Sequence, residues 1–369
     1  MTMLPALPDL SPSPALGNIA FNNLAPSDLS ALISQARIRG LTIEHDPVIQ
    51  DTIRRFLADF LKRQGRYSAN TNRSLAQGWE LFSRWCSSEG RHSLPATLET
   101  VECYLSHRAQ DKHRNTLARD KWAIGLIHQA AGCPDPTDDH RLGDHFAALV
   151  RAKVEAEETI EQAAAFREYH LDQLVERWRG SPRLQERRDL ALLTVAYESL
   201  LRASELGRIR LRHLAIQSDG AAILTIPFHK ANHSGEPDKV ALSPQAVSLL
   251  ADYLALAGRS LVGPGDELLF GRVSRHNTAA RGKTPLSLTT LCEIFRGAWQ
   301  ALELARLGIP PFTGHSCRVG AAQDLSAGGA NATEIAKAGR WSTEAMVLRY
   351  CRDTMARESV MAIRRAGRR

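Results

Sequence analysis

The chain lacks the usual marks of metal, redox and nucleotide chemistry. Its six cysteines, Cys86, Cys103, Cys133, Cys292, Cys317 and Cys351, include no C-x-x-C pair. That argues against a zinc site or disulfide framework and for reduced thiols within apolar helical patterns. His229 and His233 are spaced i, i+4 on an expected turn with no H-E-x-x-H run nearby, so zinc is not expected there either. There is no Walker A motif, no carboxylate cluster suited to two magnesium ions, and no internal repeat. No apolar run approaches membrane-spanning length. The amino terminus carries Pro5, Pro8, Pro12 and Pro14, and Asp9 where a signal peptide would have lysine or arginine. These absences predict a cytoplasmic protein.

Charge of either sign is moderate. Forty-seven basic and 40 acidic residues leave a net charge of +7 and a pI near 9.2, which permits a polyanionic partner without requiring one. A hydrophobic content of 43% over 369 residues suffices for two domains with separate cores. Residues 1–45, rich in proline and small side chains, read as a flexible N-terminal arm. Residues 46–150 read as a helical bundle, with apolar stripes such as Ile53, Phe56, Leu57, Phe60 and then Leu75, Trp79, Phe82, Cys86. The Glu- and Ala-rich stretch 151–165 reads as a linker, residues 166–352 as a second domain, and 353–369 as a terminal helix and tail. Within the second domain, a buried helix over 190–201 leads into Arg202. Strands are expected at 222–227 and 239–242 around a polar turn carrying Lys230, with a short strand at 268–270 and helices at about 244–257 and 287–304.

The stretch 313–350 concentrates chemically capable side chains. His315 and Arg318, three apart, would share a helix face. Gly328-Gly329 ends that helix, Asn331 and Glu334 form a capping box for the next, and Gly339 closes it. Trp341 follows, Ser342 or Thr343 can cap a third helix, and Tyr350 lies near its end. Each residue has a plain structural reading when taken singly. Arg202 and Glu205 form an i, i+3 pair, Lys230 sits at a hairpin tip, and Trp341 and Tyr350 are ordinary core aromatics. Arg73 and the cluster Lys112, His113, Arg114, Arg119 and Lys121 lie near helix starts. There they either reach phosphates or form a solvated face.

Their joint order, Arg…Lys…His-x-x-Arg…Trp…Tyr, resembles the tyrosine recombinase, or phage integrase, family. The segments LLRASELGRIRL, TGHSCRVGAAQDL, EIAKAGRW and VLRYCRD are similar to its Cre-like branch, and the likeness extends from about residue 51 to the C-terminus. The resemblance implies a mainly α fold with a small antiparallel β component, built as a two-domain clamp on duplex DNA. It implies that Tyr350 attacks a phosphodiester to leave a 3′-phosphotyrosine, while Arg202 and Arg318 hold the nonbridging oxygens. His315 would assist proton transfer, Lys230 would protonate the 5′-oxygen, Trp341 would donate a hydrogen bond, and Glu205 would orient the basic cluster. No cofactor, ATP or metal is expected. Arg73, Arg114, Arg119 and Lys121 would face DNA.

The helix at 287–304 would enter a major groove. In the Cre-like pattern its opening carries an arginine, whereas this chain has Ser287, Thr289 and Thr290. Threonine cannot make a bidentate guanine contact, so a different target site is expected. Ala356, Val360 and Ile363 would dock into a neighbouring protomer, giving a dimer per inverted-repeat site and a homotetramer on two sites. Strands would then exchange through a Holliday junction, in a bacterial cytoplasm or nucleoid and in association with a plasmid or phage. Two other readings stay open: a type IB topoisomerase-like enzyme acting as a monomer, and a DNA-binding architectural protein.

Overall fold

The computed structural model describes residues 24–43, 46–227, 236–280 and 284–357. The chain divides into two compact units, Met1–Ile160 and Glu161–Arg369.

The first unit is helical: α1 (Pro26–Ile38), α2 (Pro47–Lys62), α3 (Ala69–Ser88), α4 (Leu98–Ala109), α5 (Arg114–Ala130) and α6 (His140–Glu155). Local chemistry sets most of the starts. Asp46, Ser68, Thr97 and Asp139 each accept a hydrogen bond from a backbone amide in the first turn of the helix that follows. Trp79, Phe82, Val101, Tyr104, Leu105 and Ile124 form one core, and Leu29, Ile33, Ile49 and Ile53 another. Helix α1 therefore lies inside the stretch expected as an arm. Pro26 opens it, and Leu29, Ile33 and Ala36 recur on one buried face within proline-rich surroundings. Helix α6 likewise continues to Glu155, into the expected linker.

The second unit is organised around a buried helix. Helix α7 (Glu168–Trp178) precedes α8 (Leu184–Ser199), which is buried on every side from Arg188 to Ala196, including Leu190, Leu192, Leu193 and Val195 and the ion-paired Arg188 and Asp189. Then come the one-turn α9 (Ala203–Leu206) and the strands β1 (Leu214–Ile216), β2 (Ala222–Ile226) and β3 (Asp238–Leu242). The three strands form an antiparallel sheet in the order β1-β2-β3, with Leu224 opposite both Leu214 and Val240. Helices α10 (Pro244–Leu256), α11 (Leu288–Ala301), α12 (Ser316–Ala327), α13 (Ala332–Gly339), α14 (Glu344–Tyr350) and α15 (Arg352–Arg357) complete it. The strand expected at 268–270 is only a single bridge, Arg210 to Leu268, because among the described residues no neighbouring segment extends the pairing. Helix α12 lies against the segment leading into α7, where Phe166 N donates to Ser316 O at 3.0 Å. Gly320 makes that approach possible, since a Cβ there would sit 1.7 Å from Phe166 O. The chain is mainly helical with one small antiparallel sheet.

Candidate active site

Helix α8 is capped by Leu200, whose φ of 49° lies in the left-handed region. The turn leads straight into Arg202, the N-cap of α9. Glu205 binds Arg202 at two points: Arg202 N donates to Oε2 and Arg202 Nη1 to Oε1, both at 2.9 Å. The pair expected from the sequence is therefore formed, and it fixes both backbone and guanidinium of Arg202.

Arg318 comes from the first turns of α12 and is 2% exposed. Its guanidinium donates to Leu200 O through Nη1, and to Gly339 O through Nη2 at 2.8 Å. A guanidinium has five N–H donors, so others remain for a substrate. Burial, then the positive fields of Arg202 and Arg340, push its pKa down to about 10, against Glu205 and Tyr350. It keeps its charge at neutral pH. His315 is the N-cap of α12 rather than an interior helical residue, and its side chain reaches solvent. The protein around the ring, then Arg318 and Arg202, still hold the imidazole below its ordinary pKa. A neutral imidazole can accept a proton.

Asn331 and Glu334 form the expected capping box of α13. The left-handed residue after α13 is Arg340, with φ 52°, and Gly339 is the last helical residue. Gly339 is required for a different reason: a Cβ there would lie 2.2 Å from Trp341 Cζ3. The Trp341 ring consequently packs over the end of α13. Its centroid is 4.7 Å from Arg318 Cζ and 5.4 Å from the Tyr350 ring. Thr343 is the N-cap of α14 without a side-chain bond to the helix. Arg202, His315, Arg318, Trp341, Tyr350 and Glu205 all belong to the second unit, and packing or electrostatic contact links them.

Lys230, Val360 and Ile363 lie outside the described residues; Ala356 is exposed on α15. Arg73 is exposed and donates to Asn70 Oδ1 at 3.0 Å. Arg114 is tied to Glu158, donating to its carbonyl at 2.6 Å and its Oε2 at 3.2 Å. Arg119 lies 3.4 Å from Asp120 Oδ1, and Lys121 Nζ stands 5.4 Å from the Phe146 centroid. Ser287 caps α11 through Thr290 N, and Thr289 is exposed on its first turn. Cys317 and Cys351 are buried, and burial raises both thiols above their ordinary pKa.

Sequence reasoning passed over Arg340. Its buried side chain donates to Ser199 O at 3.0 Å and Leu200 O at 3.2 Å, beside the Leu200 contact of Arg318. It also missed Gln162 and Gln323, which both donate to the carbonyl of Tyr350. A left-handed arginine and two plain glutamines carry no local signal.

Comparison with known proteins identifies the family. The sequence profile described as "Phage integrase family" matches residues 166–357. The recombinase cre of Escherichia phage P1 is 28% identical over 309 residues, 82% of this chain and 90% of that protein. An integrase/recombinase xerD homolog of Selenomonas ruminantium is 29% identical over 290 residues, 76% of this chain and 81% of its own length. The fold is shared with the Tn1549 transposon integrase solved with circular intermediate DNA, at a TM-score of 0.54 and 13% identity. That match covers 86% of this chain and 99% of the integrase. The profile spans more than half of the chain, including the end of α8, the arginine of α12 and the tyrosine of α14. The chain therefore belongs to the phage integrase family, and it is a tyrosine-type site-specific recombinase that breaks and rejoins DNA.

Proposed function

We propose that the enzyme cleaves DNA through a 3′-phosphotyrosine on Tyr350 and exchanges strands between two short inverted-repeat sites by way of a Holliday junction. The observation that carries this reading is the convergence of Arg318, Trp341 and Tyr350 beside the Arg202–Glu205 pair. The Tyr350 hydroxyl oxygen attacks the phosphorus as His315 takes up its proton. Arg202 and Arg318 hold the nonbridging oxygens, where negative charge grows, and Trp341 Nε1 donates a further hydrogen bond. Lys230 protonates the departing 5′-oxygen. The phosphotyrosine stores the energy of the broken bond, so rejoining to a new 5′-hydroxyl requires no nucleotide.

Arg73, Arg114, Arg119 and Lys121 contact phosphates, and the first turn of α11, with Ser287, Thr289 and Thr290, reads the site. The carboxylate partners of Arg114 and Arg119 set how much of their charge reaches DNA. Two protomers bind each site and four form the synapse, joined through the segment after α15, inside a bacterial cell and in association with a plasmid or phage.

The test starts with a random-sequence duplex pool in EDTA, denatured after incubation and searched for protein on 3′ ends. Sequencing the captured ends gives the target. Two differently labelled duplexes carrying it are then expected to yield a four-way junction and a tetrameric complex. Relaxation of supercoiled DNA by a monomer, with no junction, would favour a topoisomerase-like role. Specific binding with no adduct would favour an architectural one.

A further inference from the structure

Helix α14 meets the core at Val347 and Tyr350, which pack with Ile335, Ala336 and Trp341. Of its seven residues Val347 is the buried one. A helix this short cannot hold its own geometry, so the place of Tyr350 depends on ties from outside. Two such ties meet at one atom. Gln162 Nε2 donates to the Tyr350 carbonyl at 3.1 Å, and Gln323 Nε2 donates to the same oxygen at 3.0 Å. Tyr350 is the last residue of α14, where a carbonyl has no partner within its own helix.

The Gln323 amide has one favourable orientation. Its Oε1 accepts from Arg167 Nη1 at 3.4 Å, while Arg167 Nε donates to Asp324 Oδ1 at 2.5 Å. Asp324 Oδ2 in turn accepts from Glu168 N at 2.9 Å and from the Tyr197 hydroxyl at 2.7 Å. Rotating the amide by half a turn would set its N–H groups against the guanidinium and its oxygen against the Tyr350 carbonyl. Both contacts would then be repulsive. A fixed carboxylate thus holds an arginine, the arginine orients an amide, and the amide holds the backbone of Tyr350.

We propose that Gln162 and Gln323 are positioning residues for Tyr350, with Arg167 setting the Gln323 amide. This rests on the reading of Tyr350 as the nucleophile. Pinning the carbonyl fixes the Cα–Cβ bond from which the phenol projects, and reacting groups must be held within a fraction of an ångström to be effective. Each tie acts on the rate of the covalent step and leaves DNA affinity alone.

The experiment uses the full chain and a duplex carrying the captured target. Single-turnover adduct formation, DNA affinity and melting temperature are measured for Gln162→Ala, Gln323→Glu, the double variant and Tyr350→Phe. Gln323→Glu keeps the shape of the side chain and removes its donor, so a role in packing alone would survive it. Each single change is expected to slow adduct formation about three- to tenfold, and the double change more, with affinity and melting temperature unchanged. Parent rates in the glutamine variants, with no adduct from Tyr350→Phe, would overturn the positioning role alone. A fall in affinity or melting temperature in step with the rate would make the pair structural and overturn it too. An adduct that survives Tyr350→Phe would overturn the nucleophile reading itself.

Discussion

Replacing Gly339 by alanine tests how the end of α13 builds the site. Gly339 is helical, so the backbone accepts alanine, and helix propensity alone would favour the change by about 1 kcal/mol. The obstacle is the Trp341 ring, whose Cζ3, Cε3 and Cη2 would lie 2.2, 2.4 and 2.5 Å from the new Cβ. Ordinary contact begins near 3.4 Å, so the ring must retreat by roughly 1 Å. Retreat disturbs its contact with Arg318, at 4.7 Å, and with Tyr350, at 5.4 Å. Overpacking of this kind costs about 1–3 kcal/mol, partly offset by the helical gain, so the melting temperature should fall only slightly.

Activity should suffer far more. A displacement of about 1 Å at a reacting group costs on the order of 100-fold in rate. Single-turnover adduct formation measures it directly, and Trp341→Ala provides the second side of a double-mutant cycle. With the indole removed, Gly339→Ala should become neutral or stabilising by up to about 1 kcal/mol and should cost no further activity. A Gly339→Ala enzyme that cleaves at the parent rate would refute the reasoning. So would a variant equally damaged whether or not Trp341 is present.

Gly320→Ala should destabilise the second unit by more than about 3 kcal/mol, since the new Cβ would meet the Phe166 backbone on α12's buried side. An unchanged melting temperature would contradict that. His128 and His170 are both buried, and burial depresses each to a pKa of about 4. The unfolded chain takes up these protons from about pH 6.5 downward and the folded chain does not. Stability is therefore full above 6.5 and lost as pH falls through 4, by about 3 kcal/mol for His128 alone. Urea melts across that window check it, and a flat profile between pH 7 and 4.5 would exclude it. Arg114→Ala, which removes a guanidinium held by the carbonyl as well as the carboxylate of Glu158 in the free protein, should weaken DNA binding and flatten its log–log salt dependence by about 0.9. An unchanged slope would remove Arg114 from the interface.

Much of the site was legible because its signals are local. The capping box of Asn331 and Glu334, the Arg202–Glu205 pair and the strands around β2 and β3 all follow from residues close in sequence. What was missed is tertiary. Gly339 closes its helix as expected, but the sequence did not show that the Trp341 ring claims the space of its Cβ or that Arg340 takes the left-handed turn. Strand β1 has three partly exposed residues and exists only because β2 pairs with it. Helix α1 hid among prolines because its three buried residues gain their meaning from the core beneath them. Gln162 meets Tyr350 across 188 positions of sequence, a separation at which no pattern in one chain is visible.

The most direct measurement is the identity of the residue that becomes bonded to DNA. The covalent complex, formed in EDTA and denatured, would be digested with nuclease and protease, and the peptide bearing a nucleotide sequenced by tandem mass spectrometry. The expected result is a single modified peptide containing Arg349-Tyr350-Cys351, with the 3′-nucleotide on the Tyr350 oxygen, and none from Tyr350→Phe. A nucleotide on any other side chain, or joined through its 5′ phosphate, would contradict the account.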